Sequence, residues 1–213
     1  ILSVSIMVFF LVKLATALGN KVTGLAAGLI TTLVPMTIYY SKIPVHETVV
    51  LGFLAMAFWF YYHWFTTKNS TSYRWLIISL ILAQTTSWAA YYLSIYLPLH
   101  FFLFNRHKLS SYKWHLLLIF LSGPFLFTLH QLHMHLISKP VDRQSLWESL
   151  SFRLSPIPLK KFLVTQSRWL AVYFTRIVLF LSLGWLIANL KKWRQNSFVF
   201  LLLIFGFTHN LIF

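Results

Sequence analysis

An all-α, polytopic transmembrane helical bundle is the fold class this sequence predicts, and three observations predict it. Hydrophobic residues fill 58% of the 213 positions and charged residues only 10%, where a soluble domain carries about 25% charge. The apolar residues come in runs that reach or approach the roughly 20 residues needed to span a bilayer core. The 18 Lys and Arg residues, set against three acids for a net charge of +15, fall in short breaks between those runs. That is the pattern of membrane flanks, not of one continuous basic face for nucleic acid. The expected partners are therefore membrane lipids, with no nucleic acid.

Apolar segments are read at 1–18, 22–40, 48–66, 75–104, 114–131, 169–190 and 197–213. The first has no Met start, no basic leader and no small-residue cleavage site, so it reads as a membrane segment and not as a signal peptide. Ile1 lies inside that run and Phe213 directly follows another. The expectation is a single transmembrane domain over 1–213, cut at both ends from a longer protein. In the second segment Gly24 and Gly28 are four apart, which places them on one helix face and allows close helix packing. Pro35 predicts a kink at its C-terminal end.

Segment 75–104 is 30 residues long; as one helix it would reach about 45 Å, well beyond a core of about 30 Å. Gln84-Thr85-Thr86-Ser87 is a polar break at its middle, so two short helices are predicted there. With two crossings, short loops on one face hold Lys13, Lys21, Lys68, Arg74, Arg106, Lys108, Lys113, Lys191, Lys192 and Arg194, and the opposite face has only Lys42. The positive-inside rule makes the basic face cytoplasmic and gives about eight membrane helices.

One long external loop remains, at about 133–168. Within Gln144–Leu154, Leu146, Leu150 and Leu154 share a helical stripe with Trp147 beside it, while Arg143, Glu148 and Arg153 lie off it. This predicts an amphipathic interfacial helix, ended by Ser155-Pro156-Ile157-Pro158. Tyr39, Tyr40, Trp64, Tyr73, Trp75, Tyr112, Trp114, Trp169 and Trp193 recur near the interfaces as an aromatic belt. There is no Cys, which excludes disulfides, thiolate chemistry and cysteine metal sites. No glycine-rich phosphate loop or dinucleotide fingerprint appears, so no soluble nucleotide cofactor is expected.

The strongest chemical candidate is Tyr39-Tyr40-Ser41-Lys42-Ile43-Pro44-Val45-His46-Glu47. It gathers two phenols, a hydroxyl, a cation, an imidazole and one of the three acids where two helices meet on the external side. Two readings stand. The carboxylate is a base, a ligand or a sugar-hydroxyl acceptor with a lysine beside it to hold a phosphate oxygen. Alternatively Tyr and Lys are interface anchors and Glu47 opens a helix, where its charge suits the N-terminal dipole. His130, His133 and His135 have a spacing that admits a metal if the helix continues. A polar helix end is the preferred reading, and no metal site is assigned. Arg176 lies seven residues into an apolar run. It either contacts a lipid phosphate within the membrane or snorkels to the external interface.

The stretch from Gly24 to Glu47, with its Gly-x-x-x-Gly helix, Pro35, the Tyr39-Tyr40-Ser41 run and the acid that follows, resembles the polyprenyl-phosphate-sugar-dependent membrane glycosyltransferases. That type C superfamily includes glycosyltransferase family 39, the protein O-mannosyltransferases and the aminoarabinose transferase of lipid A. The basic turn at Lys68–Arg74 and the two short helices that follow also fit. The resemblance covers about 1–115, and the rest only in topology. It implies inverting transfer of a sugar from a polyprenyl-phosphate donor to a lipid, glycan or protein acceptor on the external or periplasmic face. The positions carried over are Pro35, Tyr39, Tyr40, Ser41 and Glu47. In that family the main catalytic acid lies in the first external loop, and this chain starts at about the third helix, so Glu47 is expected only as a supporting acid. Lys42 is the nearest cation for the leaving phosphate, His46 lies beside it in the substrate segment, and Arg168 and Arg176 are further cations for lipid phosphate. No cofactor is required, although the reading admits a divalent cation. The alternatives are a transporter or flippase-like protein, against which the lack of paired breaks and internal symmetry counts, and a membrane assembly protein without chemistry.

Overall fold

The computed structural model describes residues 2–42, 46–137, 164, 165, 168, 197–199, 201 and 202. The amphipathic helix expected at Gln144–Leu154, the segment 169–190 and Arg176 lie outside them. Among the described residues the chain is all-helical, with no strand.

Helix α1 runs Leu2–Leu18 and α2 Lys21–Leu33. Asn20 starts α2, its side-chain oxygen accepting from the Thr23 N–H at 2.9 Å, one of the orphan donors that an N-cap satisfies. Val34 is extended (φ −62°, ψ 128°), as the residue before a proline is driven to be. Pro35 then opens a new helix, α3, Pro35–Lys42, where its missing N–H costs nothing. The expected kink is therefore a break. It leaves α2 with 13 residues, about 20 Å of helix, so segment 22–40 is not one continuous helix.

Helix α4 runs His46–Thr67 and α5 Ser70–Thr86. Between them Lys68 takes φ 58°, and Asn69 caps α5 by accepting from the Thr71 N–H at 2.8 Å. The predicted break in 75–104 is present: α5 stops at Thr86, a 3-10 turn covers Trp88–Tyr92, and α6 runs Leu93–Asn105. A second 3-10 turn, Arg106–Lys108, leads into α7, Leu109–Ile137.

Contacts fix the directions. Gly24 lies against Thr16 and the Val12 carbonyl, and Gly28 against Val12, so α2 runs antiparallel to α1. This is the close packing expected of the two glycines. Helix α4 runs parallel to α1: Gly52 meets the Ser3 carbonyl, and Tyr62 donates to the Ala17 carbonyl at 3.2 Å. Trp75 stacks on Phe60 at 6.1 Å and Tyr73 packs on Trp64 at 5.4 Å, so α5 returns antiparallel to α4. Tyr61 donates to the Leu97 carbonyl at 3.0 Å and Trp64 stacks on Phe101 at 5.3 Å, which sets α6 parallel to α4. Gly123 then faces Ser94, and Phe127 meets Tyr91 at 5.8 Å, which sets α7 antiparallel to α6. The turns at Gly19–Asn20, Lys68–Asn69 and Arg106–Lys108 therefore share one end. The joints Lys42–His46 and Ser87–Tyr92 share the other.

Two helical stretches are long and apolar enough to cross a membrane, Val49–Thr67 and Ala90–His133. The second folds back on itself. Phe101 and Tyr112 have ring centroids 5.9 Å apart, whereas their separation along a straight helix would be about 16 Å. The core lies where α4, α5, α6 and α7 meet, around Tyr61, Trp64, Leu76, Leu80, Leu97 and Phe101. The outer faces stay apolar: Val22, Leu25, Leu29 and Leu33 on α2, and Trp114, Leu118, Phe125 and Leu136 on α7, are exposed.

Candidate functional site

The sequence singles out the joint between α3 and α4, and the structure places it at the end of the bundle away from Lys68 and Arg106. Tyr39 and Lys42 lie on the last turn of α3, both exposed. Tyr40 and Ser41 belong to the same helix, and His46 and Glu47 are the first two residues of α4. The backbone thus brings all six positions to one joint. Glu47 in the first turn of a 22-residue helix meets the condition for a favourable charge–dipole interaction. That placement serves both readings of Glu47. Glu47 is the one acid among the described residues. Arg168 is exposed, and Arg176 is outside the described residues. No group of three His, Cys, Asp or Glu that could hold a metal occurs among the described residues; His130 and His133 sit on α7, which continues through both.

The opposite end carries an arrangement that the sequence alone does not reveal. The Lys68 ammonium lies over four rings: Phe101 at 4.4 Å, Phe65 at 4.8 Å, and Trp64 and Tyr112 at 5.3 Å. It also donates to the Phe65 carbonyl at 2.7 Å. Trp64 is buried beneath it and also meets Tyr73 and His115. Tyr73 ties α5 to α7 by donating to the His115 carbonyl at 3.1 Å. Burial of the ammonium, and next the charge of Lys108, push the Lys68 pKa down to about 8. The only hint in the sequence is Trp64 and Phe65 at four and three positions before Lys68, one helical turn back.

Between the two ends lies a buried polar thread. The Tyr61 hydroxyl is 2.8 Å from His100 Nδ1 and 3.0 Å from the Leu97 carbonyl. His100 Nε2 is 2.8 Å from the Ser197 carbonyl. A carbonyl only accepts, so Nε2 carries the proton, and the single Tyr61 O–H proton is shared between Nδ1 and the Leu97 carbonyl. The helical residues 197–199 are thereby fastened to α6, and Phe198 packs on Tyr61, Tyr62 and Phe58. Nearer the α5 break, the Gln84 amide donates to Ser94 Oγ at 2.7 Å, and the Ser94 hydroxyl donates to the Tyr91 carbonyl at 2.8 Å. Gly123 leaves room for that serine, because a Cβ there would overlap its oxygen.

The fold and these clusters define an all-helical protein with stretches apolar enough to cross a membrane. Comparison with known proteins goes no further: no family model matches the chain, and no curated protein or solved structure is significantly similar to it.

Proposed function

We propose that this chain is a multi-pass membrane protein, and that it serves a glycosyltransferase reaction using a polyprenyl-phosphate-linked sugar. The membrane reading is supported by the outward apolar faces of α2 and α7, since large exposed apolar patches mark contact with something other than water. It is supported also by the way the chain reverses. Lys21, Lys68, Arg106 and Lys108 all fall at one end of the bundle, where the positive-inside rule would make that end cytoplasmic.

The observation that carries the enzymatic reading is the Tyr39–Glu47 joint, gathered at the opposite, external end. A sugar held on a lipid phosphate would present its leaving group at headgroup depth, where Lys42 supplies positive charge for the departing phosphate. Glu47 would position the acceptor or a divalent cation beside it.

The test uses the full-length parent protein in detergent, with radiolabelled polyprenyl-phosphate sugar and a membrane lipid extract as acceptor. Transfer by the wild type and a loss of tenfold or more in Glu47→Gln supports the reading. Transfer unaffected by the substitution returns Glu47 to a helix-opening role. No transfer with any lipid-linked sugar removes the enzymatic reading and leaves a membrane protein without this chemistry.

A further inference from the structure

The Lys68 end holds positive charge that no described carboxylate answers. Glu47, the one described acid, starts α4 some 21 residues earlier, about 30 Å away by helix rise. Lys68 is nonetheless held firmly. It leaves α4 in the left-handed region at φ 58°, a conformation a non-glycine residue adopts only at an energetic cost. Its ammonium is fixed by the Phe65 carbonyl and by rings from α4, α6 and α7. An ammonium has three donors, and the carbonyl takes one. Rings attract a cation but do not neutralise it. Phe101 and Tyr112 flank the turn Arg106–Lys108, so they bring Lys68 up to that turn. Arg106, His107 and Lys108 are all exposed there.

We propose that the turns Lys68–Asn69 and Arg106–Lys108 together bind the phosphate of an anionic lipid headgroup, with Lys68 and Lys108 as its paired cations. The ligand chemistry is a phosphodiester of net negative charge. The choice of a lipid over a free anion rests on position, and so on the membrane reading but not on the enzymatic one. Lys68 immediately follows Val49–Thr67, an apolar stretch of 19 residues, about 28 Å long and close to the thickness of a bilayer core. It therefore stands at headgroup depth. Trp64 and Tyr112 lie against it, and Tyr73 packs on Trp64, ring types that favour that depth. A bound phosphate would relieve the repulsion between two cations held at one turn pair, and would bridge the α4–α5 hairpin to the α6–α7 hairpin.

The test follows the thermal midpoint of the full-length protein in neutral detergent by tryptophan fluorescence. Phosphatidylglycerol, phosphatidylcholine and inorganic phosphate are titrated separately. Phosphatidylglycerol is expected to raise the midpoint by several degrees and the other two to leave it within a degree. Lys68→Met combined with Lys108→Gln is expected to lose at least half of that rise, and Lys68→Arg to keep it. Should the double variant fail to fold, Lys108→Gln alone carries the test, because Lys108 is exposed. Equal rises with phosphatidylcholine or phosphate, or an undiminished rise in the variants, would overturn the proposal. Alkaline carbonate washing of membranes separates the two failures. A protein washed off sinks the membrane reading itself, and a protein retained without lipid response sinks only this site.

Discussion

Tyr61 on α4 and His100 on α6 are joined across 39 positions by a 2.8 Å bond between two buried side chains. Because the second ring nitrogen of His100 is engaged by Ser197, this contact sits in the middle of a chain linking three segments. Tyr61→Phe keeps the ring packing and removes the donor, leaving Nδ1 buried with nothing to accept from. A loss of about 1–3 kcal/mol is expected, the usual penalty for a stranded buried group. His100→Leu leaves Tyr61 its bond to the Leu97 carbonyl and takes the donor from the Ser197 carbonyl, so a loss of similar size is expected. Combined, the two substitutions should cost less than their sum, because both remove the same bond. Unfolding in mixed micelles measures all three, and strict additivity would show that the two groups are not coupled.

That contact also marks how far the sequence could be read. Trp59, Phe60, Tyr61 and Tyr62 carry no distinguishing local pattern, so all four read as packing or lipid contact. Only the fold shows Tyr61 donating a bond while Phe60 stacks on Trp75. The four-ring setting of Lys68 draws on residues up to 44 positions further along the chain, and no periodicity encodes that. Local signals fared better. The polar run Gln84–Ser87 sits at the observed break because Ser and Thr side chains compete for backbone groups; Thr85 and Thr86 do bond the Leu82 carbonyl. Lys13 was less legible. The positive-inside count places it in a loop, yet it lies inside α1, its ammonium over Phe9 at 4.6 Å and near Trp59 at 5.7 Å. Apolar stem and cationic tip are read alike by a charge count, although only the tip needs to reach a polar or aromatic partner.

The crossing of α1 and α2 should depend on its two glycines. At Gly24 a Cβ would meet the Val12 carbonyl at 3.0 Å, and at Gly28 it would meet Val12 Cγ2 at 2.7 Å. Backbone cannot move aside as a side chain does, so Gly24→Val is expected to destabilise by about 1–3 kcal/mol, as overpacking generally does. Gly28→Ala should cost less, because a valine methyl group can shift. Leu25→Ala, on the exposed side at 66%, should change detergent stability by no more than about 0.5 kcal/mol. Equal effects at positions 24 and 25 would mean that the helices do not meet at this face.

The up-and-down course of the chain predicts a labelling pattern. Because these 213 residues contain no Cys, a single cysteine placed among them is the one thiol of this stretch. Lys21→Cys, Ser70→Cys and His107→Cys replace exposed residues at or beside the three turns of one end. In sealed, oriented vesicles they should react with an impermeant maleimide from the same side. Lys42→Cys, at the end of α3, should react from the opposite side. Ser70 and His107 labelled from different sides would contradict two crossings in 75–104.

Lys68 should lose its proton at a lower pH than an ordinary lysine. With its pKa pushed down to about 8, about half of it is neutral at pH 8, against under 1% of an ordinary lysine near 10.4. Only the neutral amine acylates, so a brief pulse of an activated ester at pH 8 is expected to modify Lys68 well ahead of an ordinary lysine in a reference peptide, as read by peptide mass mapping. The same shift carries a stability consequence with a definite sign. The folded protein holds this proton less tightly than the unfolded chain. Between about pH 8 and pH 10 the unfolded chain is therefore the more protonated, and Lys68 makes stability rise with pH. The cost of burying its charge is present in full below that window and is relieved as the amine loses its proton. Lys68→Met should flatten this part of the stability profile, and an anionic lipid bound beside the ammonium should flatten it too, by holding the proton on. A wild-type profile already flat from pH 8 to pH 10, with acylation no faster at Lys68 than in the reference peptide, would show that the ammonium remains fully solvated despite the rings around it.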